Sequence, residues 1–194
     1  TNPTVPHIVF GAIAILLSAV ALTLGGASWG SAAILWIGGL LLWSPVEYVL
    51  HRYLFHEIGG IVGEDHHIHH AEPKDPNYVA APVLLALPIF ALLHGFFWLS
   101  LGVWAHAALL SAGLSLGYMV YERVHYLAHH RPARIPITLY LKRYHMIHHF
   151  KDGDNYFGVS SPLWDFAFGT KPKEPARAQD AEWLPEELGR QRFG

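Results

Sequence analysis

Residues Ala105–His129 read AHAALLSAGLSLGYMVYERVHYLAH. The run carries no Asp, Glu, Lys or Arg until Glu122 and then ends in two histidines four positions apart. About 20 predominantly apolar residues in a helix cross the ~30 Å of a bilayer's hydrocarbon. On a helix, side chains four apart lie on one face, so His125 and His129 point to one place just past the apolar stretch. A membrane helix that delivers two imidazoles to its own end sets the terms for the rest of the chain.

Three more runs of similar length lie upstream, and the spans are expected at about 8–24, 31–50, 78–101 and 105–127. The first is apolar on every side, as a lipid-exposed helix is. Hydrophobic residues make up 52% of the 194 and charged residues only 14%, against about 25% in an average soluble domain. No charged residue precedes Glu47, and the thirteen Lys and Arg begin at Arg52. The connections Gly25–Gly30 and Gly102–Trp104 are short and uncharged, which fits two helical hairpins with tips on one side. Arg52, Lys74, Arg131, Arg134, Lys142, Arg143 and Lys151 all fall on the other side, which the positive-inside rule makes cytoplasmic. The expected fold is therefore all-α and integral to the membrane, with four transmembrane helices and a cytoplasmic helical cap over 131–169. Residues 1–170 form one membrane domain in this reading. The Pro-, Lys- and Glu-rich tail 171–194 is expected to be peripheral or partly disordered. Within the cap, Ile137–Phe150 is expected as a helix lying over the mouth of the bundle, between the turn signals Arg131-Pro132 and Asp152-Gly153.

Ten of the fifteen histidines fall in four clusters, His51/His56, His66/His69/His70, His125/His129 and His145/His148/His149. All four lie on the expected cytoplasmic side. The two triplets have the i, i+3, i+4 spacing of a single helix face. His51 and His56 are five apart, which turns them about 140° from each other on an ideal α-helix, so that pair either straddles a helix end or serves two centres. Neutral imidazole suits iron, zinc, copper and nickel rather than magnesium or calcium. Ten ligands exceed what one ion holds, whereas two ions with four or five imidazoles each would use them all. His7, His94 and His106 are read as packing residues, and His67 and His130 as neighbours off the shared faces. Glu47 lies one turn before His51 and Glu122 three residues before His125. A ligating histidine commonly donates its second N–H to a carboxylate or carbonyl, so Glu47, Glu122 and Asp165 are candidates for that supporting role, with pairing to Arg52 or Arg123 as the alternative for the two glutamates. Asp152, Asp154 and Asn155 are less constrained candidates.

The composition also excludes some classes. The net charge of −2 with no basic stripe argues against a nucleic-acid partner. With no cysteine, disulfides, thiolate metal sites and thiol catalysis are absent. The opening Thr1–Pro6 lacks the basic cluster of a signal peptide.

With these residues in hand, the chain resembles the fatty acid hydroxylase/sterol desaturase superfamily of membrane polyhistidine dimetal oxygenases. The resemblance rests on Glu47–His56 (EYVLHRYLFH), Asp65–His70 (DHHIHH), Tyr121–His129 (YERVHYLAH), Leu141–Phe150 (LKRYHMIHHF) and Tyr156–Thr170 (YFGVSSPLWDFAFGT). The segment His69–Pro82 (HHAEPKDPNYVAAP) looks like the fatty acid 2-hydroxylase branch. The resemblance implies a diiron centre that uses O2 to hydroxylate a fatty acid or sphingolipid acyl chain next to its carbonyl, with zinc able to replace iron in purified protein. Some eukaryotic members carry a fused cytochrome b5 domain, for which this chain has no room, so a separate cytochrome or ferredoxin donor is expected.

A C–H bond in a methylene chain has no group to ionise, so the metal cofactor must supply the hard step while the protein positions the chain. The lipid is expected to enter an apolar cleft between the second, third and fourth spans, with Phe96, Phe97, Trp98 and Tyr118 as possible lining. Two other readings stay open. One is a different reaction of the same superfamily: sterol methyl oxidation, sphingoid-base or carotenoid hydroxylation, or desaturation. The other is a non-enzymatic metal-binding or metal-transporting membrane protein, which would place ligands along a path across the bilayer. A bacterial inner membrane is expected rather than an endoplasmic reticulum, because the chain is short and ends in Gln-Arg-Phe-Gly without a retrieval motif.

Overall fold

The computed structural model describes residues 4–171, and every regular element among them is helical. The elements are α1 (Thr4–Thr23), α2 (Trp29–Val49) continuing as a π-helical segment (Leu50–Ile58), α3 (Gly60–Ala71), α4 (Pro76–Val79), α5 (Val83–Leu101), α6 (Trp104–His130), α7 (Pro136–Phe150) and α8 (Leu163–Phe168). The expected tail beyond Lys171 lies outside the described residues. Local chemistry sets several boundaries. Ser28 caps α2 by accepting from the Ser31 N–H at 3.1 Å, and Asp75 accepts from the Asn77 N–H at 2.9 Å with Pro76 at the first helical position. Gly102 ends α5 in the left-handed conformation, φ 66°, which glycine adopts without a Cβ penalty.

Three helical runs are long and apolar enough to cross a membrane, Thr4–Thr23, Trp29–Ile58 and Pro76–Leu101. The fourth expected span, α6, has the length but not the apolarity, and its position explains the difference. It packs against α1, α2 and α5 and buries Ala105, Ala107, Ala108, Ser111, Ala112, Gly113, Ser115 and Gly117. A helix surrounded by other helices needs small residues more than lipid-soluble ones. Its neighbours carry the lipid-like surface instead: Ile15 is 72% exposed, Ile34 73% and Leu99 86%, a degree of apolar exposure that a soluble monomer does not sustain. On α1 only Pro6, Phe10, Ala14 and Ala21 are buried, one stripe turned toward α6.

The crossing of α2 and α6 is built from glycines. A Cβ at Gly39 would overlap the Leu110 carbonyl oxygen and stand 2.7 Å from the Leu114 nitrogen, and one at Gly113 would overlap the Trp36 carbonyl oxygen. Below this crossing lies an aromatic cluster. Phe10 meets Phe90 at 4.5 Å and Tyr118 at 4.6 Å between ring centroids, and Trp43 meets Tyr118 at 5.3 Å. The cap helix, expected over Ile137–Phe150, runs from Pro136 to Phe150.

Candidate metal centre

The α2–π segment, α3, α6 and α7 bring all ten clustered histidines together at one end of the bundle, in two groups of five. The first is His51, His56, His66, His70 and His148; the second is His69, His125, His129, His145 and His149, and within each group the candidate ligand atoms lie within 4.8 Å of one another. The groups adjoin where His70 stacks on His149 at 4.1 Å between centroids.

Helix geometry accounts for the partition. Pairs spaced i, i+4 stay together: His66 with His70, His125 with His129, and His145 with His149. The i+3 members, His69 and His148, go to the opposite group. On an α-helix the i+4 residue lies about 40° to one side of residue i and the i+3 residue about 60° to the other, so each triplet straddles the two groups rather than serving one. The His51/His56 pair resolves differently from either sequence-based alternative. Residues 50–58 wind as a π-helix, whose turn closes on i→i+5, so residues five apart rise on the same side and both enter the first group. That winding is rare and concentrates at functional sites.

The nitrogens are spaced as ligands of a common ion. In the first group, the Nε2 atoms of His51 and His66 are 3.1 Å apart, those of His66 and His56 3.0 Å, and those of His56 and His148 3.1 Å. In the second group, His125 and His69 stand 3.0 Å apart and His129 and His145 2.8 Å. Two imidazole nitrogens held ~2.1 Å from one ion at a right angle stand about 3.0 Å apart. In a hydrogen-bonded chain each nitrogen would serve one partner; here His66 Nε2 meets those of His51, His56 and His70. The rings are also held as neutral ligands. Burial, followed by neighbouring imidazoles, pushes the His66, His145, His148 and His149 rings well below the usual histidine range. Burial and His130 bring His69 to about 4, and burial followed by His148 brings His70 to about 2. Unprotonated imidazole is the form that binds metal. The five remaining histidines lie in neither group; His94 Nδ1, for example, stands 3.0 Å from the Ser111 hydroxyl.

These shifts set a pH dependence for the metal-free protein. The unfolded chain protonates its imidazoles near pH 6.5, while the folded site resists protons down to about 4 at His69. Between those limits the unfolded state holds more protons, so stability is full above pH 6.5 and falls as pH drops toward 4. Calorimetry of the metal-free protein in detergent should show its melting temperature declining from about pH 7 to about pH 5; a flat profile would contradict the burial of neutral rings.

The three carboxylates sit one link further from the clustered imidazoles than expected, since none of them hydrogen-bonds an imidazole among the described residues. Glu47 accepts from the Val159 and Ser160 N–H groups at 2.6 and 2.8 Å and from the Ser160 hydroxyl. Asp165, fully buried, accepts from the N–H groups of Phe157 and Gly158 at 2.9 and 2.7 Å and from the Thr170 hydroxyl at 2.7 Å. Glu122 accepts from the Ala81 N–H at 3.3 Å. Among the described residues neither glutamate pairs with an arginine; Arg52 meets Glu57 at 3.1 Å instead. The acceptors that do face the rings are backbone carbonyls, which sequence spacing cannot reveal. His51 Nδ1–H donates to the Phe157 carbonyl and His148 Nδ1–H to that of Asn155 at 2.8 Å. Each bond fixes the tautomer that leaves Nε2 free for metal.

Beside the histidines an apolar cleft opens between α2, α5 and α6, lined by Trp43, Glu47, Leu85, Phe90, Tyr118 and Tyr121 among others. Of the four aromatics expected there, Tyr118 lines it. Phe97 is buried in the core, while Phe96 and Trp98 are 63% and 50% exposed. The ring of Tyr121 stands 5.6 Å from that of His125, so one wall residue of the cleft packs beside the second histidine group.

Membrane-spanning helices ending in two five-imidazole groups, beside an apolar cleft, define a membrane protein with a site fit for two metal ions. Residues 36–170 match the fatty acid hydroxylase family, and the chain belongs to it. It is 35% identical over 151 residues to dihydroceramide fatty acyl 2-hydroxylase FAH2 of Arabidopsis thaliana, covering 73% of this chain and 62% of that protein. It is 34% identical over 152 residues to ceramide very long chain fatty acid hydroxylase SCS7 of Saccharomyces cerevisiae, covering 72% of this chain and 38% of that one. Rat fatty acid 2-hydroxylase is also 34% identical, over 73% of this chain and 40% of its own. The chain thus spans less than two thirds of these relatives. The solved structure of full-length scs7p, in which only the hydroxylase domain is visible, superposes with a TM-score of 0.79 at 30% identity, over 90% of this chain and 69% of that one. These relatives come from a plant, a yeast and a mammal, and lend no support to the bacterial membrane expected from the chain's length.

Proposed function

We propose that this chain hydroxylates a lipid acyl chain, of a fatty acid or sphingolipid, at the 2-position, using O2 and two histidine-held iron ions. The observation that carries the reading is the pair of five-imidazole groups at one end of the bundle, with an apolar cleft between α2, α5 and α6 whose wall residue Tyr121 packs beside His125. Bound iron would supply the O2 chemistry that cleaves an unactivated C–H bond, which protein side chains alone do not. His51, His56, His66, His70 and His148 would hold one ion, and His69, His125, His129, His145 and His149 the other. The protein's own share is orientation. Trp43, Phe90, Tyr118 and Tyr121 wall the cleft, so the depth to which a chain enters sets the carbon presented to the histidine end. The same apolar walls exclude water from the reacting segment. The three relatives named above are all 2-hydroxylases or ceramide fatty acid hydroxylases by name, which favours this reaction over sterol, sphingoid-base or carotenoid oxidation. Ligands gathered at one end of the bundle, rather than along a transmembrane path, disfavour a metal transporter.

In this reading α6 is the fourth span, and α3, α7 and α8 form a cap on the cytoplasmic side, where the basic residues lie. Electrons come from a separate cytochrome or ferredoxin. A pocket rimmed by Arg123, Arg131, Arg134 and Lys142, at the junction of α6 and α7, offers positive charge to an acidic donor. The decisive experiment incubates purified, iron-loaded protein with a reductant, isotopically labelled O2 and acyl lipid, then assigns the product by mass spectrometry. The expected product is one labelled oxygen heavier, with its hydroxyl next to the carbonyl. A hydroxyl elsewhere, or no oxygenated lipid with both metals bound and the donor working, overturns the proposal.

A further inference from the structure

The two histidine groups differ in how their rings are held. In the first, the His51 and His148 N–H groups are anchored on the carbonyls of Phe157 and Asn155. In the second, the Nδ1 atoms of His69, His125, His145 and His149 are buried and have no hydrogen-bond partner among the described residues. The anchoring carbonyls belong to a single irregular segment, 155–160, which has no helix or strand to fix it. Two carboxylates fix it instead. Asp165 takes the N–H groups of Phe157 and Gly158, and Glu47 takes those of Val159 and Ser160. Four consecutive N–H groups are thereby turned toward carboxylate oxygens, while the Phe157 carbonyl is left facing His51.

The segment accepts local costs to keep this shape. Tyr156 adopts φ 61°, a region that non-glycine residues rarely enter, with its N–H donating to the Thr170 carbonyl at 2.9 Å. Gly158 has no room for a Cβ, which would stand 2.8 Å from the Asp165 carboxylate. The Thr170 hydroxyl, which Asp165 accepts from, is also 3.0 Å from the Tyr48 hydroxyl, so the clamp reaches back to α2 at both Glu47 and Tyr48.

We propose that Glu47 and Asp165 are positioning residues for one metal position only, and that the two ions are therefore held unequally. The ion of the His51/His56/His66/His70/His148 group meets two rings, His51 and His148, whose orientation is set in advance by hydrogen bonds. The ion of the second group meets rings held by packing alone, with no hydrogen bond to the Nδ1 atoms of His69, His125, His145 or His149 among the described residues, and it leaves first. Loss of an outer partner of a metal-bound histidine typically costs about 10–100-fold in affinity, which sets the scale of the difference. The inference rests on the dimetal reading and goes beyond it, because that reading alone treats the ions as equivalent.

The test uses the full chain in detergent, reconstituted with zinc, which is redox-inert, and follows metal content during challenge with a chelator. Wild-type protein should lose its two ions in two phases. His129→Ala should keep only the slowly lost ion, and His56→Ala only the quickly lost one. Asp165→Asn places an amide N–H against the Gly158 N–H and should speed the slow phase by about 10–100-fold, leaving the fast phase unchanged. Glu47→Gln keeps an oxygen for Val159 and Ser160 and an amide that can donate to the Ser160 hydroxyl, so it should stay close to wild type, whereas Glu47→Ala should not. Should Asp165→Asn not fold, Ser160→Ala, which removes one hydroxyl contact, carries the same test with a smaller shift in the same phase. Two ions lost at one rate, or the opposite assignment of the phases, overturns this inference and leaves the dimetal reading standing. A saturated wild-type protein that takes up fewer than two ions overturns both.

Discussion

His145→Ala should remove one of two bound metal ions and abolish lipid hydroxylation, a loss well beyond the ~10–100-fold that an outer partner's removal costs. His145 is fully buried, stands 2.8 Å from His129 through Nε2, and packs its ring 4.6 Å from that of His125. His70→Ala should take the other ion with similar severity, because His70 belongs to the first group and its stack on His149 joins the two. His94→Ala serves as the contrast. It removes a histidine outside both groups, one placed against the Ser111 hydroxyl and the Trp104 ring, and both ions and the hydroxylated product should remain. Metal analysis and product mass spectrometry on the three proteins read the result. Two ions retained in His145→Ala would remove the second group from the metal site.

The ten clustered histidines and their convergence at one end were legible in the sequence, because helical spacing and hydropathy both report on them directly. The grouping was not. A triplet such as His145/His148/His149 reads as one face, and only the placement of the other histidines on the π-helical segment, α3 and α6 shows that the face is divided. His51/His56 misleads any α-helical ruler, since the winding of Leu50–Ile58 is π and nothing in that spacing announces it. The carboxylates of Glu47 and Asp165 are visible in the sequence as partners of the site, but they hold the loop that faces the histidines and not the imidazoles themselves. Glu47 and Asp165 are 118 positions apart and meet through a loop whose N–H groups carry no side-chain signature. In the sequence α6 reads as a fourth span like the others, while its buried serines, glycines and alanines belong to a helix packed among other helices.

That enclosure carries the second large expected effect: Gly113→Ala should destabilise the bundle by roughly 3 kcal/mol or more, at or above the upper end of typical overpacking costs. The added Cβ would overlap the Trp36 carbonyl oxygen and lie 2.8 Å from its carbon. Both are backbone atoms of α2, so no rotamer change relieves the clash and the helices must separate. On the other side of the same contact Gly39 is equally closed, and Gly117 meets the Trp43 side chain, so the crossing cannot slide to a roomier register. Gly95→Ala on α5 is the control, since a Cβ there meets nothing within 4 Å and should cost nothing, or gain up to about 1 kcal/mol of helix propensity. Thermal melting in detergent compares the two. The consequence extends to the metals because α2 and α6 run in the same direction past the crossing. Twelve residues beyond Gly39 lies His51, and twelve beyond Gly113 lies His125, each about 18 Å of helix further on. One histidine of each group therefore takes its position from the same glycine contact. A wedge at Gly113 should lower metal retention in protein that still folds, and His125, carried on the displaced helix without a carbonyl anchor, should lose its ion first. An unchanged melting temperature with both ions retained would show that α2 and α6 are not set by this contact.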